Sequence, residues 1–170
     1  IRGAGEILGT TQSGHVSAIG FHLYCKLLKR TVLALQGKTP GMIIETKLEL
    51  PFDSHVPEDY ITDFILRIDI YQRLGEATTF PELDTLFQEI KDRFGNYPDS
   101  VKNLYHICRV RIYAAKKSVV FIKHNKDRLY IEQRKKGQTI KYSEKLQAKT
   151  AKEFEERIRE YFKTMEAPRL

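Results

Sequence analysis

The sequence is poor in the groups that usually carry chemistry. It has two cysteines, Cys25 and Cys108, each isolated and without metal-ligand spacing. Both are expected as buried free thiols of a reducing compartment. No apolar run approaches the roughly 18–20 residues of a transmembrane helix. The start has no basic stretch followed by an apolar one, so it does not read as a signal peptide. Position 1 is Ile, and the lack of an initiator Met leads us to expect a fragment. There is no internal repeat and no low-complexity segment. Five histidines, His15, His22, His55, His106 and His124, are scattered without an HExxH pattern, and the acidic residues form no evident metal motif. Gly3, Gly5 and Gly9 imitate part of a phosphate loop, but no Lys-Ser/Thr pair follows and no strand precedes. We therefore assign no catalytic residue and no metal ligand.

What is there is charge, unevenly distributed. The 170 residues carry a net charge of +7. Lys plus Arg against Asp plus Glu run 4 to 1 over residues 1–37, 6 to 13 over 38–100, 14 to 3 over 101–149 and 5 to 5 over 150–170. An acidic middle followed by a basic stretch speaks about partners and steering more than about fold.

Periodicity divides the chain further. Residues 17–36 read as a helix, with Ile19, Leu23, Leu27 and Val32 at helical spacing and Gly37 as its stop. Residues 42–51 alternate as a strand, with Ile44, Thr46, Leu48 and Leu50 on one face. Pro57, Glu58 and Asp59 make a good helix start for residues 56–74, where Ile61, Ile65, Ile68 and Tyr71 are spaced as one face. Residues 78–95 form a second helix, capped at Thr79 or Phe80, opened by Pro81 and closed by Gly95, with Leu83, Leu86, Phe87, Ile90 and Phe94 apolar. A third helix opens at Pro98 and turns Val101, Leu104, Tyr105, Cys108 and Ile112 inward. The period then changes to β-rich runs at 118–124 and 128–134 about an HNKD turn, with 138–143 as a short third strand. Residues 151–165 close the chain as an amphipathic helix with Phe154, Ile158, Tyr161 and Phe162 on one side. The expected fold is α+β: helices, then a small antiparallel β-hairpin or sheet, then a C-terminal helix.

Two charged stretches are candidates for contact with a partner. Glu82, Glu89 and Asp92 share one helical face away from the apolar stripe, as a solvated face or as a docking surface for a basic partner. Lys116, Lys117, Lys123, Lys126 and Arg128, with Arg134, Lys135 and Lys136, surround the proposed hairpin. Cations released from phosphates by such groups would favour nucleic acid, although no stacking motif is evident in the sequence.

The opening RGAGEILGTTQSGH resembles the R-G-x-G-x-x-L-G-x-x-Q-S-G motif of RecG-like superfamily 2 DNA translocases. Arg2, Gly3, Gly5, Leu8, Gly9, Gln12, Ser13 and Gly14 fit it. GFHLYCKLL, LELPFDSHVPEDYITDFILRIDIYQRL and DRFGNYPDSVKNL resemble the C-terminal region of the bacterial transcription-repair coupling factor (Mfd) family. The departures are Gln72, where the family has a basic residue, and Ile68 in place of Leu. The match is good to about residue 122 and looser beyond.

The resemblance implies a helical-hairpin remnant of the second motor lobe (1–15, with Arg2, Gly3, Gly5, Gln12, Ser13 and Gly14 as the translocation motif), a connecting helix and linker (16–40), and a C-terminal regulatory domain (41–170). It implies a cytoplasmic parent with no membrane association, an ATP-dependent translocase using ATP and Mg2+ on duplex DNA. That parent displaces stalled RNA polymerase and recruits excision repair through UvrA. The C-terminal domain would be non-catalytic and without a cofactor of its own. It would dock on the N-terminal UvrB-like module of the same protein, mask UvrA binding and restrain the motor, with Glu82, Glu89 and Asp92 as docking residues. A reading of another class is an accessory nucleic-acid-binding domain using the basic hairpin over 116–136.

Overall fold

A computed structural model describes residues 45–165 of the chain. The translocation motif, the helix expected over 17–36 and the proposed segments 1–15 and 16–40 lie outside them. The order of elements is β1 (Lys47–Glu49), α1 (Phe64–Glu76), α2 (Phe80–Phe94), α3 (Asp99–Lys116), β2 (Val119–Asn125), β3 (Arg128–Lys135), β4 (Gln138–Lys145) and α4 (Ala151–Thr164). This is the expected α+β fold.

The sheet differs from the expectation in one respect: it is mixed. Its order is β1-β2-β3-β4, and β1 pairs with β2 in parallel, Leu48 opposite Ile122. Three helices separate β1 from β2 in the chain, the long crossover that a parallel neighbour requires. The other two pairs are antiparallel. The β2–β3 turn falls at Lys126–Asp127, within the predicted HNKD. The β3–β4 turn has Lys136 at φ 50° and Gly137 at φ 76°. Two positive-φ residues in a two-residue loop follow the right-handed twist of the flanking strands, and glycine meets that requirement without a Cβ penalty.

The helix expected from Pro57 begins later. Residues 57–61 form a turn, with the amides of Tyr60 and Ile61 donating to the Pro57 carbonyl. Asp63 then caps α1 by accepting from the Leu66 amide at 3.1 Å. The buried Arg67 stabilises that turn by donating to the Ile61 carbonyl at 2.6 Å and the Thr62 carbonyl at 3.2 Å. The apolar phase shifts accordingly. Ile70, Tyr71 and Leu74 face inward, while Ile65 is 71% exposed.

Two apolar clusters result. Leu48, Ile122, Leu129 and Ile131 of the sheet pack with Phe154, Ile158 and Phe162 of α4. Ile70, Leu74, Leu83, Leu86, Phe87 and Ile90 of α1 and α2 form the second. Helix α3 belongs to both: Ile107, Val110 and Ala114 enter the first, and Val101, Leu104, Cys108 and Ile112 the second. A helix buried on two sides shows more apolar positions than one stripe contains. The single predicted face captured the second cluster, and Tyr105 on that face is only half-buried.

Candidate functional site: the acidic edge and the basic hairpin

Helix α2 starts on a capping box. The Thr79 hydroxyl accepts from the Glu82 amide, and the Glu82 carboxylate accepts from the amides of Thr78 at 2.9 Å and Thr79 at 3.2 Å. The reciprocal bonds satisfy backbone donors that the first helical turn leaves unpaired. They also hold the Glu82 carboxyl below its usual pKa. The helix buries Leu83, Leu86, Phe87 and Ile90, which places its carboxylates on the outer side.

Glu89 is half-buried and bridges two helices. Arg73 of α1 donates to its two oxygens at 3.0 and 2.5 Å, and Arg93 lies 3.5 Å away. The Arg73 hydrogen bonds lower the Glu89 pKa and raise that of Arg73. Asp92 is exposed and accepts from the Gln88 amide group at 2.8 Å. An open depression lined by Asp84, Thr85, Gln88, Glu89, Asp92 and Arg93 runs along this edge. The structure therefore brings Glu89 and Asp92 together, joined by Asp84, while Glu82 sits apart at the cap.

Behind the edge is an ionic network that sequence reasoning missed. Glu155 of α4 is buried. It accepts from Arg109 Nε and from His106 Nδ1, each at 2.6 Å. Burial raises the Glu155 pKa, but the His106 and Arg109 hydrogen bonds outweigh it and leave the carboxyl below its usual value. Arg109 also lies 4.7 Å from the Phe80 ring centroid and 3.9 Å from Asp84, which accepts from the Tyr105 hydroxyl at 2.7 Å. The available signal was the spacing of Ala151, Glu155, Ile158 and Phe162, which sets a carboxylate on an apolar helical stripe. Arg111, equally unforeseen, donates to the carbonyls of Leu74, Gly75 and Ala77, covering the C-terminal end of α1.

The basic residues of the hairpin divide between the end of α3 and the strands of the sheet. Lys116 lies over the Phe80 ring at 4.5 Å, and Lys117 donates to the Met165 carbonyl at 3.0 Å. Both sit at the end of α3. Lys123 stands on β2, 3.7 Å from Glu49. Lys126 occupies the β2–β3 turn at φ 56°, and Arg128 begins β3.

The remaining sequence candidates are structural where they are described. Cys108 is fully buried, and burial pushes its thiol pKa up to about 11. His55 pairs with Asp53 at 2.9 Å, and His124 donates from Nε2 to the Leu146 carbonyl inside the first cluster. Among the described residues no group of His, Cys, Asp and Glu can hold a metal ion, and no helix is long and apolar enough to cross a membrane.

The chain as a whole is similar to known proteins. The family model "TRCF domain" matches residues 50–145. The chain is 38% identical over 128 residues to a transcription-repair-coupling factor of Bacillus subtilis (strain 168), covering 75% of this chain and 11% of the relative. It is 42% identical over 127 residues to that of Haemophilus influenzae, covering 72% and 11%. It is 38% identical over 150 residues to that of Escherichia coli (strain K12), covering 85% and 12%. It thus spans about a tenth of the length of these curated relatives. A crystal structure of the C-terminal domain of a transcription-repair coupling factor superposes with a TM-score of 0.55 at 22% identity, covering 72% of this chain and 96% of that one, a likeness of fold.

Proposed function

The chain belongs to the TRCF-domain family of the transcription-repair coupling factors, and from that membership we propose that it is a non-catalytic regulatory module. In this reading it docks on the N-terminal UvrB-like module of its parent, masks the UvrA-binding surface and restrains the motor. The parent would be an ATP-dependent translocase of helicase superfamily 2 that moves on duplex DNA and displaces stalled RNA polymerase. Residues 1–15 would then be its coupling element, with Arg2 and Gln12 tying the loop to the motor.

The observation that supports docking is the acidic edge of α2. Asp84 and Asp92 are exposed there beside the half-buried Glu89, on a helix whose apolar side is fully used by its own domain. A basic partner surface is the electrostatic complement of such an edge. Glu89 enters with its charge already shared with Arg73 and Arg93, so Asp92 is the better position to probe. Reversing Glu89 would set a third cation against those two arginines and damage the α1–α2 contact as well as any docking.

The test is Asp92→Arg combined with Gln88→Arg in the full-length protein. One exposed pair contributes only about 0–1 kcal/mol. Reversal at two neighbouring positions replaces attraction with repulsion and is expected to raise UvrA affinity and basal ATPase activity several-fold. The thermal midpoint of the isolated chain should move little, since both side chains are exposed. Unchanged UvrA affinity with a folded domain would assign docking to another surface.

A further inference from the structure

The sheet has two unlike faces. Leu48, Ile122, Leu129 and Ile131 point into the cluster shared with α3 and α4. By strand alternation, Lys47, Phe121, Lys123, Arg128, Tyr130 and Lys141 point the other way. Register brings these side chains into rows. Lys47, Phe121, Glu132 and Lys141 lie abreast across the four strands, and Glu49, Lys123, Tyr130 and Ser143 form the next row. Phe121 and Tyr130 therefore stand on the two central strands as diagonal neighbours, about 7–8 Å apart by strand geometry. Tyr130 is 42% exposed, one of two large hydrophobics that the described domain leaves in solvent. Lys47 approaches the Phe121 ring at 5.8 Å.

We propose that this outer sheet face binds single-stranded nucleic acid, Phe121 and Tyr130 stacking on bases while Lys47, Lys123, Arg128 and Lys141 meet phosphates. Aromatic rings on the central strands of a four-stranded sheet, flanked by cations, are an arrangement by which sheets capture unpaired bases. A duplex hides its base faces and offers such rings nothing to stack on. The acids on the face do not cancel its charge. Glu49 is shared between Lys47 at 3.2 Å and Lys123 at 3.7 Å, and Glu132 pairs with Lys141 at 3.3 Å. The lysine of each pair is exposed, and ion pairs at a solvated surface are weak. The face is distinct from the acidic edge of α2, so the proposal stands independently of the docking reading.

The experiment is a fluorescence-anisotropy titration of the 170-residue chain with labelled oligothymidylate, oligouridylate and a duplex of equal length, at several salt concentrations. Preference for either single strand over the duplex is expected. Tyr130→Val keeps a strand-forming side chain without the ring. It should weaken single-strand binding about tenfold, the loss of one stacked base. Lys123→Gln should flatten the dependence of log affinity on log salt by about 0.7, as expected for one phosphate contact. Lys152→Gln, exposed on α4 and off the sheet, should change neither. The proposal is overturned by absence of binding at low salt, by equal affinity for the duplex, or by a folded Tyr130→Val chain that binds as tightly as the parent sequence.

Discussion

Glu155 shows how one side chain ties the domain together. It is a buried carboxylate between Arg109 and His106 of α3, and it lies on the apolar stripe of α4. Its removal leaves the Arg109 charge largely buried without its main counter-ion. Breaking such a pair from one side costs about 3–5 kcal/mol. We expect Glu155→Ala to lower stability by about 3 kcal/mol in urea denaturation, the low end because Arg109 keeps some exposure. The pH dependence has a definite sign. The folded Glu155 pKa is depressed, so its contribution is full above the unfolded carboxylate value of about 4.3. It declines as pH falls below that value and is gone once pH passes below the folded pKa. The acid limb of a stability-against-pH curve should flatten in Glu155→Gln. An unchanged acid limb would assign acid sensitivity to other carboxylates.

At the scale of elements, the ends of α1 and α2 are treated differently. Helix α2 is closed by local sequence: its capping box lies within residues 78–82, and Gly95 at φ 85° ends it. Helix α1 is closed from a distance, by Arg111 of α3 reaching the carbonyls of Leu74, Gly75 and Ala77. A planar guanidinium can serve several carbonyls at once, and an ammonium on a flexible stem cannot hold the same geometry. Arg111→Lys should therefore cost about 1–3 kcal/mol, with carbonyls at the α1 terminus left without their donor. Hydrogen exchange should report the loss as reduced protection confined first to the last turn of α1. Uniform loss across α1, α2 and α3 would mean that Arg111 acts through global packing.

For the molecule as a whole, α3 decides cooperativity. It supplies buried side chains to both clusters, so neither can lose its packing without exposing one side of the same helix. Leu104→Ala in the second cluster should cost about 2–5 kcal/mol, and Phe154→Ala in the first about 3–5 kcal/mol. Each should shift one common unfolding transition seen alike by far-UV circular dichroism and tyrosine fluorescence. Two separated transitions in either variant would show the clusters to be independent units. The charge segregation of the chain becomes spatial at this scale: α2 carries four acids against two bases, and β2, β3 and β4 together carry six bases against two acids.

Local patterns determined much of this in advance. Thr79, Pro81 and Gly95 mark α2, and alternation over Thr46, Leu48 and Leu50 marks the inward face of β1, because capping and pleat depend only on neighbouring residues. The acidic edge was legible for the same reason, since helical spacing alone puts Glu89 and Asp92 opposite Leu83 and Leu86. Tertiary structure decided the rest. The start of α1 at Phe64 depends on Arg67 holding the preceding turn, and the parallel pairing of β1 depends on a crossover through three helices. The roles of Arg111 and Glu155 require partners 34 to 49 positions away. Glu89 looked like a free charge until folding set Arg73 against it, and Phe121 and Tyr130 became neighbours only through strand register. Long-range contacts of this kind leave no local period, because they exist only after the chain has closed on itself.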